Sequence, residues 1–161
     1  MIFGLLVIES IVMCFDLLIL CVVGTANGAV GLVTFFEKDV QKRVVELGLT
    51  TEEKIKKSTV ISSLVMFIPL FFAVPLMVYK INGADSFFSG FWQMTFIMEI
   101  MNLFDRLFID WYWVGKTKAW EIAGTEDLKP YIPKKTLIIK WSSILLYPVL
   151  SAIIAGIVEI L

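Results

Sequence analysis

Five polar side chains recur along the apolar stretch TFIMEIMNLFDRLFID, which covers residues 95–110. They are Thr95, Glu99, Asn102, Arg106 and Asp110. On an α-helix with 100° per residue, these positions fall within an arc of roughly 80°. Carboxylate, amide and guanidinium groups on one face have the chemistry to bind a cation, carry a proton or hold a small polar solute. The spacing therefore predicts a polar stripe on one helix.

The stripe lies in a chain whose composition is that of a membrane protein. Of 161 residues, 58% are hydrophobic and 18% are charged, and the mean hydropathy is +0.85. A helix needs about 18 to 20 apolar residues to cross a hydrocarbon core of roughly 30 Å. Four stretches meet this requirement, at about 2–23, 60–79, 87–109 and 137–161. We therefore predict an all-α integral membrane protein, a single membrane domain over residues 1–161 with four transmembrane helices.

The first apolar stretch has a second interpretation, as a cleaved secretory signal. It has no basic segment before the apolar run, it contains Glu9 and Asp16, and no small-residue cleavage site closes it. These features are unlike those of a signal peptide, so we expect it to be a helix of the mature protein.

Lysine and arginine are concentrated in two connecting segments, at about 24–59 and 110–136. Basic residues next to membrane helices favour the cytoplasmic side. We therefore expect both connecting segments inside and both termini outside. We expect the membrane to be a prokaryotic cytoplasmic membrane.

Amphipathic patterns appear in both connecting segments. In FFEKDVQKRVVELG, apolar residues including Val40 and Val44 recur near helical spacing. This predicts a short amphipathic helix that either lies at the membrane interface or packs on its neighbours. Thr50 and Glu53 predict a capping box at the start of the next helix. An aromatic belt at the membrane interface is predicted for Trp111, Tyr112, Trp113 and Trp120.

A charged side chain at membrane depth costs about 2.5 to 3.5 kcal/mol unless it is paired or hydrated, so the stripe should face the interior of the bundle. The first stretch adds two acids on one face, and Trp92 extends the stripe outward. The predicted ligand-binding residues are Glu99, Asp16, Arg106, Asn102, Trp92, Glu9 and Asp110. In this hypothesis Glu99 and Asp16 bind the cation or proton, Arg106 positions them or an anionic group, and Trp92 lines the outer approach.

Several kinds of site are disfavoured by composition. The chain has no histidine, and its two cysteines alone cannot form a zinc or iron–sulfur site. It has no phosphate-binding glycine loop and no serine nucleophile motif. We predict no metal and no cofactor, and we assign no catalytic residue. The basic segments are explained by topology, so they do not predict nucleic-acid binding.

The function expected from these features is transporter-like or channel-like, with a polar intramembrane cavity for a proton, cation or small polar or cationic solute. Expected partners are membrane lipids and either further copies of the chain or another membrane protein. Two alternatives stay open. The stripe is a structural salt-bridge network of an accessory or regulatory subunit, or Asp105, Asp110 and Glu121 serve a lipid-modifying enzyme at the inner interface.

Overall fold

All regular secondary structure in the computed structural model, which describes residues 2–160, is helical. This confirms the all-α prediction. A short 3₁₀ helix, Ala29–Phe35, follows the first helix, and a widened π-helical segment, Asp105–Val114, continues the fourth without a break. We call Asp105–Val114 the π segment. The other helices are α1 (Ile2–Thr25), α2 (Lys38–Glu46), α3 (Glu52–Ile81), α4 (Phe87–Phe104), α5 (Lys134–Trp141) and α6 (Ser143–Ile160). Within α3, two π-helical turns, Pro69–Ala73 and Met77–Ile81, interrupt the α-helical repeat.

Three helical runs are long and apolar enough to cross a membrane: Ile2–Thr25, Glu52–Ile81 and Lys134–Ile160. They contain the predicted stretches 2–23, 60–79 and most of 137–161. The predicted stretch 87–109 is helical but is not among the three. Its polar side chains, which include those of the stripe, lower its hydropathy. By length and composition the fold therefore shows three candidate spans where the sequence predicted four.

α4 lies at the centre of the helical bundle, between α1 and α6. Met94, Ile97 and Met98 on α4 are fully buried in the main hydrophobic core. Leu6 of α1 and Val74 of α3 pack into the same core. α4, which carries the polar stripe, is thus packed between two apolar helices, and this packing shields its polar groups.

N-terminal capping residues mark where α3 and α4 begin. Thr51 caps α3, because its Oγ1 accepts a hydrogen bond from the Lys54 backbone N–H at 3.3 Å. The predicted cap at Thr50 is therefore wrong by one residue. Ser86 caps α4 in the same way, through the Ser89 backbone N–H at 3.4 Å. Side-chain acceptors at these positions satisfy backbone donors that have no partner inside the helix.

The two connecting segments fold together into a second core, which we call the cap (residues 26–51 and 115–133). Phe36 stacks on Tyr131 with ring centroids 4.8 Å apart, and it meets Trp120 edge-on at 6.1 Å. Val40 and Val44 of α2 are buried in this core. α2 therefore packs on its neighbours through these two residues, while Leu47 at its end is exposed; a position at the membrane interface stays a prediction.

The aromatic residues after α4 divide between surface and core. Trp111 and Tyr112 are exposed, and the Lys116 ammonium lies 5.4 Å from the centre of the Trp111 ring. This arrangement suits an interfacial belt. Trp120 does not belong to it, because its ring is buried in the cap between Phe36 and Trp113.

Candidate functional site

Arg106, near the start of the π segment, forms ion pairs with the carboxylates of Asp105 and Asp110. The Asp110 contact follows the predicted four-residue spacing. On an ideal α-helix, Asp105 would point about 100° away from its neighbour Arg106, so the sequence did not predict this second ion pair. The widened π-helical turn brings adjacent side chains closer in angle, and the long arginine side chain covers the remaining distance. Asn102 also lies four residues from Arg106 on the stripe, but the two side chains form no hydrogen bond in the described structure.

Lys140 on α5 brings a second cation to the same place. Its ammonium donates a hydrogen bond to Asp110 Oδ1 at 2.8 Å. Asp110 thus accepts from Arg106 and from Lys140, and its side chain is almost fully buried. We call Asp105, Arg106, Asp110 and Lys140 the charge quartet. Two acids and two bases give the quartet a formal charge of zero when all four are ionised.

A cavity of about 190 Å³ lies beside the charge quartet, and we call it the charged cavity. Its polar lining consists of the four quartet residues with Cys21 and Trp120; apolar side chains of α1, the 3₁₀ helix, α3, the π segment and the cap form the rest. A water molecule occupies about 30 Å³ in the liquid, so the volume corresponds to roughly six waters. The charged cavity is therefore large enough for a small solute.

Two buried donors among the lining residues have no hydrogen-bond partner within residues 2–160. They are Arg106 Nε and Trp120 Nε1. Arg106 is 9% exposed and Trp120 is 2% exposed. A buried donor without a partner costs about 1 to 3 kcal/mol. Both atoms are closed to a water-sized probe, so they lie behind the cavity wall, and a solute in the cavity reaches them only if the wall shifts.

The polar stripe continues from the charge quartet along α4. Asn102 is 1% exposed, donates to Glu99 Oε2 at 3.1 Å and accepts from Ser143 Oγ at 2.7 Å. Ser143 belongs to α6, so the stripe faces another helix of the bundle, as predicted. Glu99 Oε1 and Thr95 Oγ1 are buried without a partner within the described residues.

Glu9 and Trp92 lie apart from the charged cavity. Glu9 is buried on α1 and accepts a hydrogen bond at 2.9 Å from Asn82, next to the link between α3 and α4. Trp92 is half-buried against the main core. Neither residue lines the charged cavity.

Asp16 lies elsewhere too. It lines an open groove of about 460 Å³ between α1 and α3, together with Lys54, Lys57 and Ser58. The expected approach of Asp16 to Arg106 is therefore not seen. The face of α1 that lines the charged cavity is the neighbouring one, which carries Leu17. Adjacent residues on a helix differ by 100°, so Asp16 points to another side.

The three acids of the enzyme interpretation do not converge. Glu121 forms an ion pair with Lys129 at 2.5 Å, on the partly exposed surface of the cap. Asp105 and Asp110 are engaged with Arg106 instead. Over residues 2–160, no cluster of three acids, cysteines or histidines has the arrangement to hold a metal ion.

Four polar residues of the charged cavity were not among the predicted ligand-binding residues: Asp105, Lys140, Trp120 and Cys21. Asp105 was named only in the enzyme interpretation. A signal existed for Lys140, which is the only base in the stretch 137–161. A single base in such a stretch indicates a buried acidic partner. Trp120 gave no such signal, because its burial depends on how the cap folds.

Comparison of the chain with protein-family models, with curated proteins and with solved structures gives no match.

Proposed function

We propose that the protein is an integral membrane protein that binds a small polar solute in the charged cavity. The observation that carries the proposal is the charged cavity itself, about 190 Å³ in volume, with two acids and two bases in its wall. In a low-dielectric site a solute that hydrogen-bonds to such groups gains more than it would in water.

The membrane topology is part of the proposal. α4 with the π segment also crosses the membrane, which brings the number of spans to four. It is the central span because its polar stripe needs protein on all sides. The cap, which carries six lysine and arginine side chains, lies in the cytoplasm of a prokaryotic cell, and both termini lie outside. The three long apolar runs and the central position of α4 support this arrangement.

Transport is the natural extension of solute binding in such a protein. The charged cavity lies at the cap end of α4, whereas Met94 and Ile97, midway along α4, are fully buried in the main core. Passage across the membrane would require that packing to open, in a homo-oligomer or together with a partner protein. π-helical turns are common at functional sites, and the π segment forms one wall of the cavity.

The proposal is tested by nitrogen NMR of the protein in lipid nanodiscs. The probes are acetamide, acetate and acetamidinium, which have nearly the same size and shape. We expect the Trp120 indole and the Arg106 Nε–H signals to shift together and to saturate with at least one probe. Trp120→Phe identifies the cavity signal, and Trp111→Phe identifies an exposed ring outside the cavity. If none of the three probes gives a saturable shift, the proposal is wrong.

A second candidate function is an accessory subunit, and one observation favours it. Asp16 is half-buried in its open groove and makes no hydrogen bond or ion pair within residues 2–160. A partner helix carrying a base would stabilise this carboxylate. We expect Asp16→Asn to reduce recovery of such a partner after cross-linking in native membranes, whereas Asp85→Asn, on the exposed link, leaves it unchanged. Equal recovery with both variants contradicts this candidate.

A further inference from the structure

The charge balance of the charged cavity restricts what it can bind. Each member of the charge quartet has an oppositely charged partner: Arg106 contacts both aspartates, and Lys140 contacts Asp110. An ion of either sign would add an unbalanced charge to a partly desolvated site, which is costly. A solute with no net charge avoids this cost.

The unused hydrogen-bonding capacity of the cavity walls adds a second restriction. The Lys140 ammonium has three N–H groups, of which Asp110 receives one. On the acceptor side, Asp105 Oδ2 is occupied by Arg106, and Oδ1 makes no hydrogen bond within the described residues. The wall thus offers N–H donors and a carboxylate oxygen, so the complementary solute carries an acceptor oxygen together with a donor.

The volume sets a third restriction. About 190 Å³ accommodates a molecule that displaces roughly six waters. Leu17, Leu20 and Ile109 are among the apolar side chains of the wall, so part of the solute is surrounded by hydrocarbon. Small amides fit these requirements, as do small zwitterions whose charges cancel.

We infer that the charged cavity, in the binding role proposed above, selects a small solute of zero net charge that carries acceptor oxygens, and that it rejects cations and anions of the same size. Lys140 donates to an acceptor oxygen of the solute, and Asp105 Oδ1 accepts a hydrogen bond from a donor of the same solute. This inference rests on the proposed function. The sequence allowed a proton, a cation or a small polar or cationic solute, and the inference restricts the ligand to a solute without net charge.

The three probes separate these outcomes because they differ in charge and hardly in shape. Acetamide is neutral with one acceptor oxygen, acetate is an anion without donors, and acetamidinium is a cation without acceptors. We expect the dissociation constant for acetamide, read from the Trp120 and Arg106 signals, to be at least about tenfold lower than for either ion. If acetate or acetamidinium binds as tightly as acetamide, the inference is wrong while the proposed function stands. If no probe binds, the proposed function fails first.

Two charge variants test the physical cause directly. Lys140→Met leaves a formal charge of −1 in the quartet, so the affinity ratio of acetamidinium to acetamide should rise by at least about tenfold. Asp105→Asn leaves a formal charge of +1 in the quartet, so the affinity ratio of acetate to acetamide should rise by at least about tenfold. The exposed Trp111 indole signal reports whether each variant folds. An unchanged ratio in a folded variant of either kind overturns the charge-balance argument.

Discussion

Lys140 on α5 donates a hydrogen bond to Asp110 Oδ1 at 2.8 Å, although the two residues are thirty positions apart in the chain. This contact joins α5 to the π segment and completes the charge quartet. It also gives Asp110 a second cation in a buried position, where an unpaired carboxylate would be costly. Each of the four charges has an oppositely charged partner, so removing one of them leaves an unpaired charge inside the protein, which is destabilising.

Removing Asp110 should be strongly destabilising. Asp110→Ala leaves Arg106 and Lys140 without a shared acceptor, and breaking a buried ion pair on one side costs about 3 to 5 kcal/mol. The free energy of unfolding in mixed micelles, measured by denaturant titration, checks this. The double variant Asp110→Ala with Lys140→Met should recover part of the loss. A loss below about 1 kcal/mol for the single variant would contradict the buried quartet.

The cap contains an ion pair for which a small effect is expected. Arg43 contacts both carboxylate oxygens of Asp127, at 3.1 and 3.2 Å. The two side chains are 35% and 63% exposed, so solvent and salt screen the pair. Asp127→Asn should lower the free energy of unfolding by no more than about 1 kcal/mol, and less at high salt. A loss comparable to that of Asp110→Ala would mean that the cap is held together by this pair.

Glycine at position 90 should be required for helix packing. A Cβ built on Gly90 would overlap the hydroxyl and ring of Tyr79 on α3. Overpacking of this kind costs about 1 to 3 kcal/mol, so Gly90→Ala should lower the unfolding temperature. Gly4→Ala is the matched control, because a Cβ at Gly4 meets no atom within 4 Å and alanine favours the helix. Equal effects of the two variants would contradict the close packing of α3 on α4.

The pH dependence of one cap turn follows from its hydrogen bonds. Glu126 accepts from its own backbone N–H and from that of Gly124, and these bonds hold the pKa of its carboxyl below the ordinary range. A depressed folded-state pKa means that the stabilisation is present above the unfolded pKa of about 4.3 and is lost as the pH falls through the folded value. The pH titration of the Gly124 amide signal should therefore have its midpoint below about pH 4.3. In Glu126→Gln this step should disappear; a midpoint at or above pH 4.3 in the parent protein would show that the turn does not favour the carboxylate.

The proposed topology is checked by cysteine labelling in intact cells. In a background with Cys14→Ala and Cys21→Ala, a membrane-impermeant maleimide should label Asp85→Cys, on the link between α3 and α4, directly. Lys42→Cys, on the exposed face of α2, should react only after permeabilisation. Both positions are exposed in the structure, so a difference between them reports the side of the membrane. The reverse pattern would place the cap outside.

The helices themselves could be predicted from the sequence, because hydropathy and helical periodicity are local properties. The runs Ile2–Thr25, Glu52–Ile81 and Lys134–Ile160 are recognised by composition alone, and the positions of Asn102, Arg106 and Asp110 on one face follow from the helical repeat. The pairing of Asp105 with Arg106 did not follow, because the helical repeat changes where the π segment begins.

What surrounds the stripe was decided by tertiary structure. The packing of α4 against α1 and α6 selects Ser143 and Lys140 as partners, and it leaves Asp16 facing another groove. Trp120 reaches the charged cavity only because the two connecting segments, far apart in the chain, bury it between them. A helix sequence specifies which residues share a face, but which neighbour covers that face depends on long-range packing, and the charge balance of the cavity arises from that packing.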